Sequence, residues 1–287
     1  MIRSLTSTLL LVGVFALSSL RAAEPFPAEA KTGGFAIGCQ AYSFNRYSVF
    51  EAIDKTAEVG GKVIEFYPGQ KLSLEEPTVK WNHDASPEVI AKVKAKLAES
   101  HIIPVAYGVV QIPKDEAQAR RIFDFAKTMG LRVINTESVD AIDTIEKLVK
   151  EYDIKVGFHD HPKRPDHPEY QMWDPNYVLS VVKDRDARIG SCADTGHWQR
   201  SGLHPVDCLR ILKGRIVASH LKDLNVLDRD GHDLPYGQGV GDIKGVLDEF
   251  KAQGFEGPIS IEYEYHWTES VPEIKQCIDF VCAYGAK

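Results

Sequence analysis

Four short stretches of this 287-residue chain end in side chains of metal-ligating type. They are the runs 133–137, 216–220 and 259–262, ending in Glu137, His220 and Glu262, and the run Ile189-Gly190-Ser191-Cys192-Ala193-Asp194. Each is a mostly small or β-branched segment, as a strand entering a crowded interior needs to be. Three carboxylates and one imidazole, delivered to one end of a common scaffold, would form a mixed oxygen and nitrogen site. That donor set suits one divalent ion of the Mn²⁺, Co²⁺, Mg²⁺ or Zn²⁺ kind better than a soft thiolate centre.

Strand parity supports a shared direction, because side chains alternate between the two faces of a strand. Glu137 lies on one face with Asn135 and Val133, Asp194 with Cys192, His220 with Ala218, and Glu262 with Ser260. The layer beneath the four ligands is therefore small or polar. The opposite faces carry Ile134, Val217, Ile259 and Ile261, suited to packing under helices.

Further chemistry surrounds these ends. His159 and His161 stand two apart and face the same way on an extended segment, so they could ligate a metal, act as acid or base, or bind substrate. Lys222 follows His220 by two and faces the same mouth, where an ammonium could stabilise an enolate or hold a hydroxyl. His197, three after Asp194, could orient substrate or cap a helix start. Glu65 ends an earlier strand and offers either a substrate contact or a structural ion pair.

Positioning these groups requires a regular scaffold, and the chain reads as one. Strands are expected over 35–40, 63–66, 103–107, 132–137, 155–159, 189–194, 216–220 and 258–262. Helices are expected near 49–59, 87–100, 116–129, 142–152, 176–182, 205–212, 243–253 and 271–283. Apolar residues recur at helical spacing, as in Ile90, Val93 and Leu97. Eight strand–helix units at a spacing of about thirty residues are the count of a single-domain (β/α)8 TIM barrel over 35–287. A doubly wound sheet would have fewer strands and a glycine-rich first turn, which Ala41-Tyr42-Ser43-Phe44 is not. The loops after the second, fifth and seventh strands are long, whereas return connections such as Gly130-Leu131 are short. Elaboration therefore falls on one rim, the rim where barrel active sites are built.

The start of the chain has a different character. Met1-Ile2-Arg3 is followed by an apolar run over 9–17 and small residues at Ala22 and Ala23, the pattern of a secretory signal peptide spanning 1–23. The apolar run is too short to span a bilayer, which takes roughly 20 residues. Residues 24–34 form a Pro- and Ala-bearing leader, and the expected location is the periplasm or outside the cell. Cleavage after Ala23 removes two cations and no acid, moving the net charge from −7 to −9. An acidic chain without clustered Lys or Arg is not built to displace phosphate counterions, so nucleic acid is not the expected partner. The five cysteines are too few for a disulfide scaffold and read as buried free thiols.

Four motifs in order, Asp194-Thr195-Gly196-His197, Ser219-His220-Leu221-Lys222-Asp223, Gly239-Val240-Gly241-Asp242 and Ile261-Glu262-Tyr263-Glu264, resemble the xylose-isomerase-like superfamily of sugar isomerases and epimerases. The resemblance covers nearly all of 35–287. It implies a TIM barrel with one divalent metal at its C-terminal rim, held by Glu137, Asp194, His220 and Glu262. It leaves His159, His161 and Lys222 for acid–base and substrate work. Many epimerases of the family take a metal-bound Glu from the fifth strand, where this chain has His159. The His-x-His variant with a fourth-strand Glu is similar to the inosose dehydratase branch. Resemblance to endonuclease IV, which shares the fold, is weak. The expected activity is abstraction of a proton beside the carbonyl of a sugar or keto-sugar, by Glu262 or His159, giving isomerisation or epimerisation through an enediolate. The alternatives are a lyase or dehydratase that expels a β-substituent, acting for example on a 3-keto-glycoside, and a non-catalytic sugar-binding barrel using rim aromatics such as Tyr67, Tyr170 and Trp173.

Overall fold

The computed structural model describes residues 25–286; the proposed signal peptide lies outside the described residues. Eight parallel strands close into a barrel: β1 Ala36–Gln40, β2 Val63–Phe66, β3 Ile103–Tyr107, β4 Val133–Thr136, β5 Lys155–His159, β6 Ile189–Asp194, β7 Ile216–Leu221 and β8 Pro258–Ile261. Closure is made by β1 against β8, with Ala36 opposite Pro258 and Cys39 opposite Ile261. Outer helices follow each strand: α1 Val49–Glu58, α2 Pro87–Glu99, α3 Glu116–Met129, α4 Ile142–Tyr152, α5 Pro175–Val182, α6 Pro205–Ile211, α7 Ile243–Ala252 and α8 Val271–Gly285. The expected (β/α)8 architecture is thus present. The loop after β2 carries a small hairpin pairing Gln70 with Trp81, and the loop after β7 another pairing Asp223 with Leu234.

Local sequence sets the helix ends. Ser48 and Glu51 form a reciprocal capping box at α1, each satisfying a backbone N–H of the other's turn. Asp115 caps α3, which ends at Gly130 in the left-handed conformation (φ 72°). One further helix, Thr195–Arg200, follows β6 directly where a turn was expected. It starts at the strand's last residue because the side chain of Asp194 is its N-cap, accepting from the backbone N–H of His197 at 2.8 Å.

The apolar core has two layers. The larger lies between the strands and the helices and includes Ile134, Ile259 and Ile261, as parity requires. The smaller fills the barrel toward the strand starts, with Val63, Val105, Val133, Cys192 and Ala218. Val217 belongs to this inner set rather than the outer one expected for it, because the register between β6 and β7 shifts at Ser191 and Cys192. The leader also proves to be part of the fold. Phe26 and Ala30 are buried in the inner cluster, and the Phe26 ring lies 3.9 Å from the Arg132 guanidinium. Residues 25–30 thus close the lower end of the barrel. Four cysteines are buried free thiols, but Cys282 is exposed: five residues beyond the buried Cys277, it falls on the outer face of α8.

Candidate metal centre

The C-terminal ends of β5 to β8 place four ligand-type side chains around one point. They are His159, Asp194, His220 and Glu262, whose donor atoms all lie within 4.8 Å of one another. Asp194 Oδ2 is 3.5 Å from His159 Nε2 and 3.7 Å from His220 Nδ1, and His220 Nδ1 is 3.2 Å from Glu262 Oε2. Most of these separations are longer than a good hydrogen bond. They match the edges of a coordination shell, since ligand bonds of roughly 2.0–2.2 Å put neighbouring donors about 3.0–3.5 Å apart. Both ring nitrogens of His159 and Nδ1 of His220 are buried without a hydrogen bond. Buried polar atoms that point together and lack partners carry a desolvation cost that a cation would remove. The residues present therefore fit a divalent ion.

Asp194 serves two structures at once. Oδ1 caps the short helix while Oδ2 faces the centre, where Lys222 Nζ lies 2.9 Å away. Its backbone N–H donates to the buried Asp160 carboxylate at 2.9 Å. Lys222 is buried among three carboxylates, 2.7 Å from Glu262 and 3.0 Å from Glu264 as well as near Asp194. Its backbone is fixed reciprocally by the Thr195 hydroxyl, which donates to Lys222 O at 2.9 Å and accepts from its N–H at 2.8 Å. Gly196 completes the arrangement: a Cβ there would fall 2.5 Å from Lys222 Cδ.

Charge explains the titration of the group. Asp194, Glu262 and Glu264 surround Lys222, Glu264 and Asp233 flank Arg200, and Glu65 and Glu137 lie against His220 and His159. Burial pulls the His159 imidazole toward neutrality, but the carboxylates of Asp194 and Glu137 outweigh it and hold its pKa up at about 9. Burial opposes ionisation of Glu262 too, yet Lys222 and His220 keep its carboxyl down at about 2. His197 goes the other way: burial holds its imidazole well below the usual range, so it is neutral.

Glu137 stands beside the four-residue group, not within it. The last rung of β4 is Thr136 opposite Phe158, so Glu137 falls one residue beyond the ladder. There Tyr170 Oη donates to its Oε1 at 2.8 Å, and His161 Nδ1 is hydrogen-bonded to the same oxygen. His159 takes the fourth place around the centre, with Nδ1 3.7 Å from Glu137. The mouth is lined by the half-exposed His161, with Glu137 and Glu264 beside it. His197 is buried, its ring stacked on His161 at 5.0 Å. Glu65 does not reach the mouth at all. It is fully buried beneath His220, accepting from Asn135 Nδ2 at 2.7 Å and Ser260 Oγ at 2.7 Å, with His220 Nε2 at 3.0 Å. The burial excludes substrate contact and makes Glu65 the group that orients His220.

Two contributors gave little sign in the sequence. Arg200 reaches Glu264, Asp233 and the carbonyl of Gly231, tying the Asp223–Leu234 hairpin to the site. It lies on the same helical turn as His197, which could have flagged it had the short helix been expected. The glycine-rich loop at 237–241 is not an anion cradle: the N–H groups of Gly237, Gly239 and Gly241 all donate to the carboxylate of Asp223 at 2.8–3.0 Å.

With this geometry in hand, the chain can be set beside known proteins. The family model for the xylose isomerase-like TIM barrel matches residues 53–284. An uncharacterized protein of Methanocaldococcus jannaschii is 30% identical over 125 residues, which span 42% of this chain and 41% of that relative. Among solved structures, an uncharacterized protein from Parabacteroides distasonis is 30% identical with a TM-score of 0.68, over 86% of this chain and 98% of that one. A D-allulose 3-epimerase from Methylomonas gives 15% identity and a TM-score of 0.66 over 91% and 100% of the two chains. A xylose isomerase-like TIM barrel protein from Mycobacterium smegmatis, solved in complex with magnesium, gives 15% and 0.67 over 87% and 96%. The last two likenesses are of fold.

Proposed function

Because the chain belongs to the xylose isomerase-like TIM barrel family, we propose that it is a divalent-metal-dependent isomerase or epimerase of a sugar or keto-sugar. The observation that carries this reading is the set of four convergent buried donors, His159, Asp194, His220 and Glu262, at the rim where barrel enzymes work. Epimerases among the proteins of like fold agree with it. Two imidazoles and two carboxylates favour Zn²⁺, Co²⁺ or Mn²⁺ over Mg²⁺, which prefers oxygen donors. When bound, such an ion supplies Lewis acidity that makes the proton beside a substrate carbonyl more acidic.

The residues divide the remaining work. Glu262 is the member of the set with the most exposure, at 8%, and takes the proton. His159 is 1% exposed and walled by carboxylates on both ring edges, which leaves it to ligate. The Lys222 ammonium fixes the Glu262 and Asp194 carboxylates and offers positive charge to a developing oxyanion. His161, steadied at Nδ1 by Glu137, holds or delivers a proton on the open side of the mouth.

One observation favours a second reading, β-elimination. β5 ends in an imidazole where a second carboxylate base would stand, and the exposed acid–base pair is His161 with Glu137. In that reaction Glu262 takes the α-proton, the C–O bond at the β-carbon breaks, and the departing oxygen receives a proton from His161. The enzyme would act outside the cytoplasm, a reading supported by the sequence pattern at 1–23.

The test is to load the protein with Zn²⁺, Co²⁺ or Mn²⁺ and incubate it in D₂O with a panel of keto-sugars, aldoses and a 3-keto-glucoside, followed by NMR. Deuterium at the α-carbon is expected, with an isomerised product for the first reading or a released leaving group for the second. No exchange on any member, with metal bound, would overturn both.

A further inference from the structure

The His159 ring has two nitrogens, and the four-donor centre uses only one of them. Its Nε2 faces Asp194 Oδ2 at 3.5 Å, whereas its Nδ1 lies 3.7 Å from Glu137 Oε1, outside that centre. Nδ1 is as buried as Nε2 and equally without a hydrogen bond, in a side chain that is 1% exposed. A polar atom buried in this way carries a desolvation cost until a partner arrives.

What Nδ1 faces is a second group of ligand-type atoms. Glu137, His159 and His161 each bring one donor atom within 4.8 Å of the other two. Positions 159 and 161 stand on one side of the chain as it leaves β5, and Glu137 arrives from the end of the neighbouring β4. Tyr170 fastens two of the three. Its hydroxyl donates to Glu137 Oε1 at 2.8 Å and accepts from the backbone N–H of His161 at 2.8 Å. His161 Nδ1 closes on the same Glu137 oxygen, a contact where either a proton or a cation can sit. The side chains of Glu137 and His161 keep 24% and 38% of their surface exposed, so an ion can enter from the mouth and complete its coordination with water. Two imidazoles and one carboxylate, with an open fourth position, are a donor set for Zn²⁺ or Co²⁺.

We propose that Glu137, His159 and His161 form a second, weaker site for a divalent cation, joined to the four-donor centre through the shared ring of His159. Filling it replaces the N–H bond at His159 Nδ1 with a bond to the ion and releases that proton to solvent, while Glu137 supplies a balancing negative charge. The inference goes beyond the reaction proposed above and shares with it only the four-donor centre. In the doubly loaded protein His161 is a ligand, so the proton delivery assigned to it belongs to the singly loaded form.

The probe is Co²⁺, titrated into the full metal-free protein against a competing chelator. Two ions should bind, the second more weakly than the first. His161→Ala should weaken the second step by about 10–100-fold or more and leave the first within a few-fold. A second measurement uses the unaltered protein and so does not depend on how the variant folds. Exchange across the shared ring should lower the EPR intensity per ion when the second Co²⁺ binds. Binding of no Co²⁺ would remove the four-donor centre together with this site. Binding of one ion only would overturn this inference and leave that centre standing. Two ions with both affinities untouched by His161→Ala would put the second one elsewhere and overturn it too. Two fully uncoupled spins would overturn the sharing of His159, on which the site depends.

Discussion

Glu65 Oε2 lies 3.0 Å from His220 Nε2, and neither side chain has any exposed surface. The carboxylate fixes the imidazole ring so that Nδ1, the atom without a hydrogen-bond partner, faces Asp194 and Glu262. A carboxylate behind a ligating histidine raises its basicity and sets its tautomer. Glu65→Gln keeps the shape but turns an acceptor into a partial donor against Asn135, Ser260 and His220. Metal affinity should fall by about 10–100-fold, read by titration against a competing chelator. An unchanged affinity would remove Glu65 from the positioning role.

Glu262→Gln tests base against ligand. If Glu262 takes the substrate proton, turnover at saturating metal should stay depressed by about 10²–10⁴-fold. If it is only a ligand, added metal should restore the rate. The fold should persist in either case, because Lys222 keeps Asp194 and Glu264 as partners. Recovery to near-normal turnover in excess metal would transfer the base role elsewhere.

Much of this was legible in the sequence, and the reasons are physical. Strand ends could be placed because β-branched runs stop at charged residues, and parity then put Asp194, His220 and Glu262 on one face. The place of Glu137 was not legible, since it depends on where the β4 ladder stops and on Tyr170 arriving from a loop more than thirty residues later. The glycines at 237–241 resemble a phosphate cradle in one dimension; Asp223, which occupies their N–H groups, is found only in three. Phe26 looked like leader sequence because a single aromatic residue carries no periodicity.

Phe26 supplies a stability test of that closing segment. Its ring fills the barrel's lower end at 5% exposure. Phe26→Ala should cost about 3–5 kcal/mol in unfolding free energy, measured by urea denaturation. Metal binding and turnover should be unchanged in the folded fraction, since the site is at the opposite rim. A cost below about 1 kcal/mol would show that residues 25–30 add little to the core.

The metal-free protein should lose stability as pH rises. Asp194 and Glu137 hold the His159 imidazole at a pKa of about 9 against burial, compared with an ordinary value of 6.5. Below about pH 6.5 both folded and unfolded chains carry this proton, and the contribution is fully present. Between there and about pH 9 only the folded state keeps it, so stability drains away, by a total on the order of 3 kcal/mol. A bound metal displaces that proton and binds more tightly as pH rises. The gain in Tm on adding metal should therefore widen from pH 6.5 to 9. A gap that stays constant across that range would show that His159 is not protonated in the apo state.

His161 decides between the two reactions, because it is the imidazole at the mouth that does not belong to the four-donor group. Isomerisation can proceed with Glu262 alone shuttling the proton between neighbouring carbons. Elimination also needs a donor for the departing oxygen, and His161, with Nδ1 bound to Glu137, is placed to supply one. His161→Gln should therefore leave deuterium exchange at the α-carbon within a few-fold of normal while cutting leaving-group release by about 10²-fold or more. The deficit should shrink for glycosides with acidic leaving groups such as 4-nitrophenol, which depart without protonation, and remain for alkyl leaving groups. Tyr170→Phe, which removes a donor from Glu137, should strengthen the carboxylate's hold on His161 and leave release largely intact. Equal loss of exchange and release in His161→Gln would make this residue part of proton abstraction. Equal retention of both would leave the isomerase reading in possession of the site.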